Sequence, residues 1–268
     1  MNNLLIGNTS QLAKYFPEDF EKISSRNIDF KKISEKKYES VHILFAEQRT
    51  FLNEDEKFFT DVNVDYTLKV IDKIKHFTKE IKVYSTSELW NNCEGEISTK
   101  TQFNYNYSPY IKSKEIISNI INEKRKEYYN VNLVYPFNFN SPYRKNGFLF
   151  SKIFDSIINK NKNTIGYVDF ERDIIHPSII VKESIKSKED IVIGSGELVN
   201  ILKFIKDLFK LGNLDFNDYI LVDEIMNLNQ KRNLYFSKTK FSNYNELLNL
   251  TTEDVRNYKI SKRHNRLQ

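Results

Sequence analysis

Tyr110 and Lys114 are the residues of this sequence whose types and spacing best fit proton-transfer chemistry. Because they are four positions apart, on a helix they share one face, one turn from each other. A phenol normally loses its proton at about pH 10, and a neighbouring ammonium lowers that pKa by favouring the phenolate. The pair is therefore predicted to act as an acid or base near neutral pH. Such pairs also occur by chance on ordinary helices, so the interpretation depends on partners elsewhere in the chain.

Small hydroxyl residues precede this helix and are the first of those partners. The β-prone run Ile81–Tyr84 is followed directly by Ser85-Thr86-Ser87-Glu88, and a polar loop then leads to the helix. Serine and threonine hydroxyls can donate and accept hydrogen bonds, and a glutamate carboxylate can accept a proton. We expect the strand to deliver these groups to the region where Tyr110 lies.

A reduced glycine motif lies at the beginning of the sequence. The short apolar strand Leu4–Ile6 runs into a turn, and a helical stretch then ends before Pro17. Gly7, Ser10 and Ala13 occupy the spacing Gly-x-x-Gly-x-x-Gly. This spacing is typical of turns in which backbone N–H groups at a helix N-terminus bind a pyrophosphate, and a plain strand-to-helix turn is the alternative. The predicted cofactor contacts in this turn are Gly7, Asn8, Thr9, Ser10, Gln11 and Leu12.

The residues after the second strand bear on the identity of the cofactor. Phe20–Asp29 is predicted to form a short strand and the following loop, which carries Ser25 and Arg26. An acidic residue at this position accepts a hydrogen bond from a ribose 2′-hydroxyl, whereas an arginine accommodates a 2′-phosphate. The loop therefore favours NADP(H), although an exposed arginine is usually just solvated. Phe45 and Ala46, at the end of the next strand, complete the predicted cofactor contacts.

Strands and helices alternate along the sequence. The runs Val41–Ala46, Ile81–Tyr84 and Val131–Tyr135 are typical of buried strands, and Asp61–Phe77 has helical periodicity. Alternation after a glycine-based turn predicts an α/β fold with a Rossmann-type doubly wound parallel sheet. Residues 1–135 are predicted to form mainly the NADP(H)-binding domain. Residues 136–268 are predicted to form mainly a small mixed α/β substrate lobe, with some segments returning to the sheet. Further predicted elements are helices at Phe148–Asn159 and Leu198–Phe209 and a strand at Ile191–Ile193.

Composition excludes several classes of protein. Hydrophobic residues make up 40% of the 268 residues, which is not the composition of a disordered chain. The net charge of +5 arises from 41 basic and 36 acidic residues spread along the chain, so no nucleic-acid partner is predicted. With Cys93 as the single cysteine and four scattered histidines, neither a disulfide nor a metal is expected. No signal peptide or apolar run of about eighteen residues occurs, so we expect a cytoplasmic protein without a membrane span.

Several short motifs follow one another along the chain, and they are Ser85–Leu89, Ser108–Tyr110, Phe137-Asn138, Ser141-Pro142, Arg144, Arg172-Asp173, Gly194–Glu197 and Tyr219–Glu224. In this order they resemble the extended short-chain dehydrogenase/reductase superfamily, in its nucleotide-sugar branch. Over nearly the whole chain, the sequence is most similar to the group of GDP-mannose 4,6-dehydratases and GDP-4-keto-6-deoxymannose reductases. The chain departs from that pattern in its reduced glycine motif, in Trp90-Asn91 where the family has Tyr-Gly, and in its shorter segment after Arg172.

The resemblance implies a role for each candidate. Tyr110 exchanges a proton with the sugar oxygen, and Lys114 lowers the pKa of Tyr110 and holds the nicotinamide ribose. Thr86 hydrogen-bonds the same oxygen. Glu88 matches the base of the dehydratases, and it could equally bind a hydroxyl or be structural. The implied substrate contacts, in which guanidinium groups suit a diphosphate, are Ser87, Glu88, Asn138, Arg144, Lys152 and Arg172.

The first interpretation of the whole pattern is an NADPH-dependent reductase. Its substrate is the 4-keto group of a nucleotide-activated, GDP-linked 6-deoxy sugar, hexose or heptose, for surface polysaccharide biosynthesis. The alternatives are a 4,6-dehydratase, which the Thr86-Ser87-Glu88 run supports, and a 4-epimerase. A non-catalytic NADP(H)-binding sensor is a further alternative, but it has no need of Thr86, Tyr110 and Lys114 together. Relatives often pair through the Tyr-Lys helix, so a homodimer is expected, although its apolar residues are equally consistent with a buried core.

Overall fold

A computed structural model describes residues 2–52, 54–144, 147–223, 225 and 233–264 of the chain. Within these residues the strands, in chain order, are β1 (Asn2–Ile6), β2 (Phe20–Ile23), β3 (Tyr38–Ile43), β4 (Thr78–Tyr84), β5 (Gly95–Ile97), β6 (Val131–Pro136), β7 (Asn138–Phe139), β8 (Asn163–Gly166), β9 (Glu171–Arg172), β10 (Ile174–Ile175), β11 (Ile191–Ile193), β12 (Val199–Asn200), β13 (Ile220–Asp223) and β14 (Tyr235–Ser237). The α-helices are α1 (Phe30–Ser34), α2 (Glu56–Thr60), α3 (Thr67–Ile74), α4 (Pro109–Glu123), α5 (Leu149–Asn159), α6 (Pro177–Lys186), α7 (Ile201–Leu211), α8 (Phe216–Tyr219) and α9 (Tyr244–His264).

The chain divides into two compact units. The first comprises Met1–Cys93, Ser98–Pro136 and Ile180–Ile193. The second comprises Glu94–Ile97, Phe137–Ile179 and Gly194–Gln268. No helix in the described part of the chain is long and apolar enough to cross a membrane.

A six-stranded parallel sheet is the centre of the first unit. Its strand order is β11-β6-β4-β3-β1-β2, and every pairing in it is parallel. Leu4–Ile6 and Val131–Val134 are mainly apolar runs whose side chains are largely covered on both faces of the sheet. The order reverses direction between β1 and β3, and open α/β sheets bind ligands at such a switch point, outside the carboxyl ends of the strands. The predicted Rossmann-type sheet is confirmed.

The elements around this sheet differ from the predictions in three places. The helix predicted to run from the glycine turn to Pro17 is only a 3-10 turn, Gln11–Lys14, because the chain turns at Pro17 to enter β2. The third strand ends at Ile43, so Phe45 and Ala46 lie in the loop after it. The helix predicted over Asp61–Phe77 begins earlier, at Glu56 in α2, and has a π-helical segment, Asp61–Tyr66, between α2 and α3.

The second unit has its own apolar core and four short two-stranded ladders. The core is formed by helices α5, α7 and α9 with strands beside them, and Phe204, Phe209 and Leu247 are fully buried in it. The predicted helix over Leu198–Phe209 begins at Ile201, since Val199–Asn200 forms β12 and Asn200 caps the helix through Lys203 N. Of the motif Tyr219–Glu224, residues up to Asp223 lie in α8 and β13, and Glu224 lies outside the described residues.

A buried carboxylate explains two of the sequence motifs of the second unit. Asp173 is fully buried and accepts hydrogen bonds from Ser195 N at 2.6 Å, Ser195 Oγ at 2.7 Å, Gly196 N at 3.1 Å and Ser237 N at 2.9 Å. Burial raises the pKa of the Asp173 carboxyl, although these donors oppose the effect. A Cβ at Gly194 would collide with this carboxylate, so only glycine fits there. Asp173 therefore joins the turn Gly194–Glu197 to β14 within the second unit.

Candidate active site

Thr86, Ser87 and Glu88 follow the carboxyl end of β4, as predicted. Thr86 begins a 3-10 turn, Ser87–Trp90, and its Oγ1 accepts a hydrogen bond from Glu88 N at 3.2 Å. Thr86 and Ser87 are buried, whereas Glu88 is half-buried and accepts a hydrogen bond from Asn91 Nδ2 at 3.3 Å. The capping bond fixes the Thr86 hydroxyl against the backbone of Glu88, and the bond from Asn91 holds the Glu88 carboxylate.

Helix α4 begins immediately before Tyr110. Ser108 is its N-cap, with Oγ accepting a hydrogen bond from Ile111 N at 3.2 Å, and Pro109 occupies the first helical position, where its missing N–H is not needed. Tyr110 is half-buried, and its ring lies 6.2 Å from that of the buried Phe59 in an edge-to-face arrangement. The capped first turn and this aromatic contact hold Tyr110 at the N-terminal end of the helix.

Lys114 is buried on the same helix, one turn after Tyr110. Its Nζ donates a hydrogen bond to the carbonyl of Tyr84, the last residue of β4, at 3.0 Å. Burial lowers the pKa of Lys114 to about 8 because desolvation disfavours the charged form. The lysine therefore remains a cation at pH 7 but is readily deprotonated in mild alkali. Its bond to Tyr84 places it at the carboxyl end of β4, where Thr86 follows.

Asn63 is a positioning residue that sequence reasoning missed. It is buried in the π-helical segment, and its Nδ2 donates to Glu47 O and to Ser113 Oγ, both at 2.9 Å. Its Oδ1 accepts from Glu47 N at 2.8 Å, and Ser113 Oγ donates to Tyr110 O at 2.7 Å. One carboxamide thus fixes the loop after β3 to the first turn of α4. A polar residue inside the apolar period of a helix was the available signal.

Replacing Asn63 by Ala is expected to lower the free energy of unfolding by about 2–3 kcal/mol, because several buried hydrogen bonds lose their partner. Urea denaturation measures this change. Asn119, exposed on α4, provides the control, since Asn119→Ala removes a carboxamide from the surface. A loss as small as that of the control would show that Asn63 does not hold the loop and helix together.

Gly7 forms the turn after β1 at the switch point of the sheet. Its φ of +108° is in the region that favours glycine, and a Cβ there would lie 2.9 Å from Phe45 N. The turn therefore packs directly against the backbone of the loop after β3, with no room for a side chain at position 7. Gly7 N and Asn8 N donate to Ile23 O, which joins the turn to the end of β2. These features fit a dinucleotide, whose phosphates need a close backbone approach.

The other predicted cofactor residues surround this turn within the first unit. Arg26 is exposed, and its backbone N–H donates to Ser24 Oγ at 3.1 Å. The carbonyl of Ser25 accepts a hydrogen bond from Tyr66 OH, and the ring of Phe45 packs against that of Tyr66 in a tilted arrangement. Ala46 is half-buried in the loop after β3. In the turn itself, Asn8 and Thr9 are exposed, Ser10 is half-buried, and Gln11 and Leu12 are buried.

The four predicted substrate residues of the second unit lie in β7, before α5, in α5 and in β9. Asn138 is half-buried in β7, and Arg144 stacks on Phe148, with its guanidinium carbon 3.8 Å from the ring centre. Arg172 donates to the carbonyls of Glu171 at 3.2 Å and of Asn233 at 3.4 Å, so backbone contacts occupy part of its guanidinium. Lys152 Nζ donates to Thr164 O at 2.8 Å, which ties α5 to β8. This bond gives Lys152 a structural contact.

The sheet, the glycine turn at its switch point and the buried lysine one turn from a tyrosine are the arrangement of a short-chain dehydrogenase/reductase, and the family match places the chain in the extended, nucleotide-sugar branch. Residues 52–252 match the family model described as GDP-mannose 4,6 dehydratase, which is more than half of the sequence. The chain belongs to this family. No curated protein sequence matches it.

Solved structures share the fold at low sequence identity. The chain is similar to RMD from Pseudomonas aeruginosa complexed with NADPH, with 13% identity, a TM-score of 0.72, and coverage of 95% of this chain and 99% of that one. It is similar to UDP-N-acetylglucosamine 4-epimerase from Methanobrevibacter ruminantium M1, with 17% identity, a TM-score of 0.78, and coverage of 97% and 98%. It is also similar to dTDP-glucose 4,6-dehydratase from Bacillus anthracis in complex with NAD, with 15% identity, a TM-score of 0.72, and coverage of 96% of this chain and 97% of that one. Identities of this size establish the fold alone.

Proposed function

We propose that the protein is an NADPH-dependent reductase of the 4-keto group of a GDP-linked 6-deoxy sugar. The observation that carries this proposal is the buried Lys114, one helical turn after Tyr110 and bonded to the strand that delivers Thr86. Membership of the GDP-mannose 4,6 dehydratase family supports a GDP-linked sugar. Arg26 after β2 supports NADP(H), and the similar RMD structure contains NADPH.

The residues of the first unit then have defined roles. A bound nicotinamide supplies the hydride that reaches C4 of the sugar. Tyr110 donates its phenolic proton to the oxygen on C4, and the Thr86 hydroxyl hydrogen-bonds the same oxygen, so hydride and proton together convert the ketone to an alcohol. Lys114 remains cationic at neutral pH because its pKa of about 8 lies above it, and its charge stabilises the tyrosinate that forms.

Four further residues are proposed to contact the sugar nucleotide. Arg144 and Arg172 are the proposed ligands of the diphosphate, since a planar guanidinium pairs well with phosphate oxygens. Asn138 is proposed to bind the sugar or the phosphate, and Ser87 is proposed to contribute a hydroxyl. A homodimer is proposed from the family resemblance.

A GDP-sugar 4,6-dehydratase is the second candidate, and the geometry around Glu88 favours it. The hydrogen bond from Glu88 N to Thr86 Oγ1 places a carboxylate on the same turn as the hydroxyl that is proposed to bind the sugar oxygen. A base in that position could remove the proton beside a C4 ketone, and elimination of water would follow. The hydride would return to the sugar at the end, so this reaction consumes no cofactor.

Absorbance of reduced nicotinamide distinguishes the two reactions. Purified protein is mixed with NADPH and a GDP-4-keto-6-deoxy sugar, and we expect one NADPH to be lost for each sugar converted. A parallel reaction contains NADP⁺ and the unmodified GDP-sugar, from which a reductase forms nothing. Formation of a keto sugar in the parallel reaction, without loss of NADPH in the first one, would show that the protein is a dehydratase and not a reductase. If NADPH binds and neither reaction occurs, the proposed substrate is wrong.

A further inference from the structure

The central sheet is one strand short on the side of β1 and β2. A dinucleotide-binding sheet usually has the order 3-2-1-4-5-6, with three strands on the first side of the switch point. Here two strands lie on that side, and among the described residues no strand pairs with the outer edge of β2. This side of the sheet is where the second strand presents its end to the ribose of the adenosine half. In the described part of the chain the sheet therefore ends at β2, on the side of the adenosine ribose.

Tyr66 contacts the residues that follow two strands of the sheet, β2 and β3. Its hydroxyl donates a hydrogen bond to the carbonyl of Ser25, which follows β2, at 2.6 Å. Its ring centre lies 5.2 Å from that of Phe45, which follows β3, with the ring planes at 49°. Both aromatic side chains are half-buried, so part of each ring faces solvent. Burial raises the pKa of Tyr66, so its hydroxyl remains a neutral donor at neutral pH.

The turn after β1 is expected to bind the pyrophosphate of a cofactor more weakly than the N-terminus of a full helix would. The only helical residues between β1 and β2 are the 3-10 turn Gln11–Lys14. A single turn does not present the aligned dipole of a long helix to a pyrophosphate. A dinucleotide held here needs affinity from another group close to the adenosine half. A partly exposed aromatic ring is such a group, because base–aromatic stacking contributes substantially to nucleotide affinity.

We propose that the adenine ring of the dinucleotide stacks on Tyr66, with Phe45 supporting the tyrosine ring. The bond from Tyr66 OH to Ser25 O anchors the phenol at its far end, which keeps the ring in one orientation and lowers the entropy lost on binding. Ser25 also marks the loop from which Arg26 is proposed to contact the ribose, so the stacking surface lies next to the ribose position. This inference rests on the proposed function, since it requires a nicotinamide dinucleotide.

Binding titrations with whole and half cofactors test the proposal without measuring turnover. The probes are NADPH and NADH, the adenosine halves ADP and 2′,5′-ADP, and nicotinamide mononucleotide. For Tyr66→Ala, we expect affinity for the dinucleotide and for the adenosine halves to fall about tenfold, as for loss of one base–aromatic stack. Binding of nicotinamide mononucleotide should not change. Tyr66→Phe keeps the ring and should retain most of the affinity, and Tyr129→Ala, which removes an exposed tyrosine, is the matched control.

The outcomes separate this inference from the proposed function. Wild-type protein that binds neither NADPH nor NADH would overturn both. Wild-type protein that binds a dinucleotide, together with an undiminished affinity in Tyr66→Ala, would overturn the stacking proposal alone. Tighter binding by that variant would mean that Tyr66 fills the adenine site. Equal losses for nicotinamide mononucleotide and ADP would indicate general damage to the fold and would also count against stacking. Tyr66→Leu, which fills more of the space, provides a second variant if the alanine variant does not fold.

Discussion

Replacing Tyr110 by Phe is expected to lower the turnover number of the ketoreductase reaction by about 10²–10⁴-fold, the usual contribution of a general acid. The substitution removes one hydroxyl and keeps the ring, so the contact with Phe59 and the capped start of α4 should persist. Binding of NADPH should therefore be nearly unchanged. The loss should appear in the rate of a single turnover, since protonation of the sugar oxygen accompanies hydride transfer.

The measurement combines stopped-flow absorbance of NADPH with a separate binding titration. Tyr107→Phe is the matched control, because Tyr107 lies in the segment before the same helix, is 66% exposed, and uses its hydroxyl to donate to Glu56. The control should retain its rate. A Tyr110→Phe enzyme that reduces the sugar within a few-fold of wild type would contradict the assignment of the proton donor, whatever the substrate proves to be.

The fold of the first unit could be predicted from sequence because its strands are buried on both faces. Runs such as Val131–Tyr135 and Ile81–Tyr84 contain few polar residues, and the structure places them in the parallel sheet, as predicted. The boundaries were less accurate where a turn ends an element. Val41–Ala46 is apolar to its end, but the strand stops at Ile43, since Leu44 to Ala46 leave the ladder near the close approach of Gly7.

The shortened first connection shows what a local pattern cannot reveal. Gly7, Ser10 and Ala13 have the spacing of a glycine motif, and a helix after them was the natural expectation. The length of that helix depends on how soon the chain must enter β2, and Pro17 and Phe20 bring it back after one 3-10 turn. That no strand lies beyond β2 among the residues that the structure describes is likewise a property of the whole sheet.

The candidate site was predictable in part. Sequence spacing placed Tyr110 and Lys114 on one helical face, and both lie on α4 as predicted. The catalytic roles of these residues stay predictions. The partners that hold them could not be found from spacing, because Asn63 and Tyr66 act through residues far away in sequence. Both side chains point out of the same π-helical segment, whose extra residue in the turn has no signature in the sequence.

Lys114 is expected to make stability depend on pH in a direction opposite to that of a paired lysine. Burial lowers its folded-state pKa to about 8, whereas the ordinary value is 10.5. Between these values the unfolded chain binds more protons than the folded one, so the free energy of unfolding rises with pH over this range. The shift corresponds to about 3 kcal/mol at 1.36 kcal/mol per unit. The cost of the buried charge is fully present at pH 7 and disappears above about pH 10.5.

Urea denaturation of wild type and Lys114→Met at pH 7 to 11 measures this cost. Because other titrating groups are common to both proteins, the difference between their free energies of unfolding isolates Lys114. We expect that difference to change by about 3 kcal/mol in favour of wild type as pH rises. Lys114→Arg is the control, because a guanidinium remains charged throughout this pH range. The difference in free energy of unfolding between Lys114→Arg and Lys114→Met should therefore not change with pH. A constant difference between wild type and Lys114→Met would mean that Lys114 has an ordinary pKa.

The same titration should appear in activity. A lysine that supports Tyr110 as a cation is useful only while it is protonated, so the turnover number of the wild-type enzyme should fall as pH rises through about 8. Stability and activity should then change in opposite directions over the same pH interval, because both depend on one proton. Burial of Lys114 costs stability at neutral pH, and that cost is explained by a functional need for its charge. A structural lysine at this position would gain nothing from being charged, and Lys114→Met would then leave the turnover number unchanged.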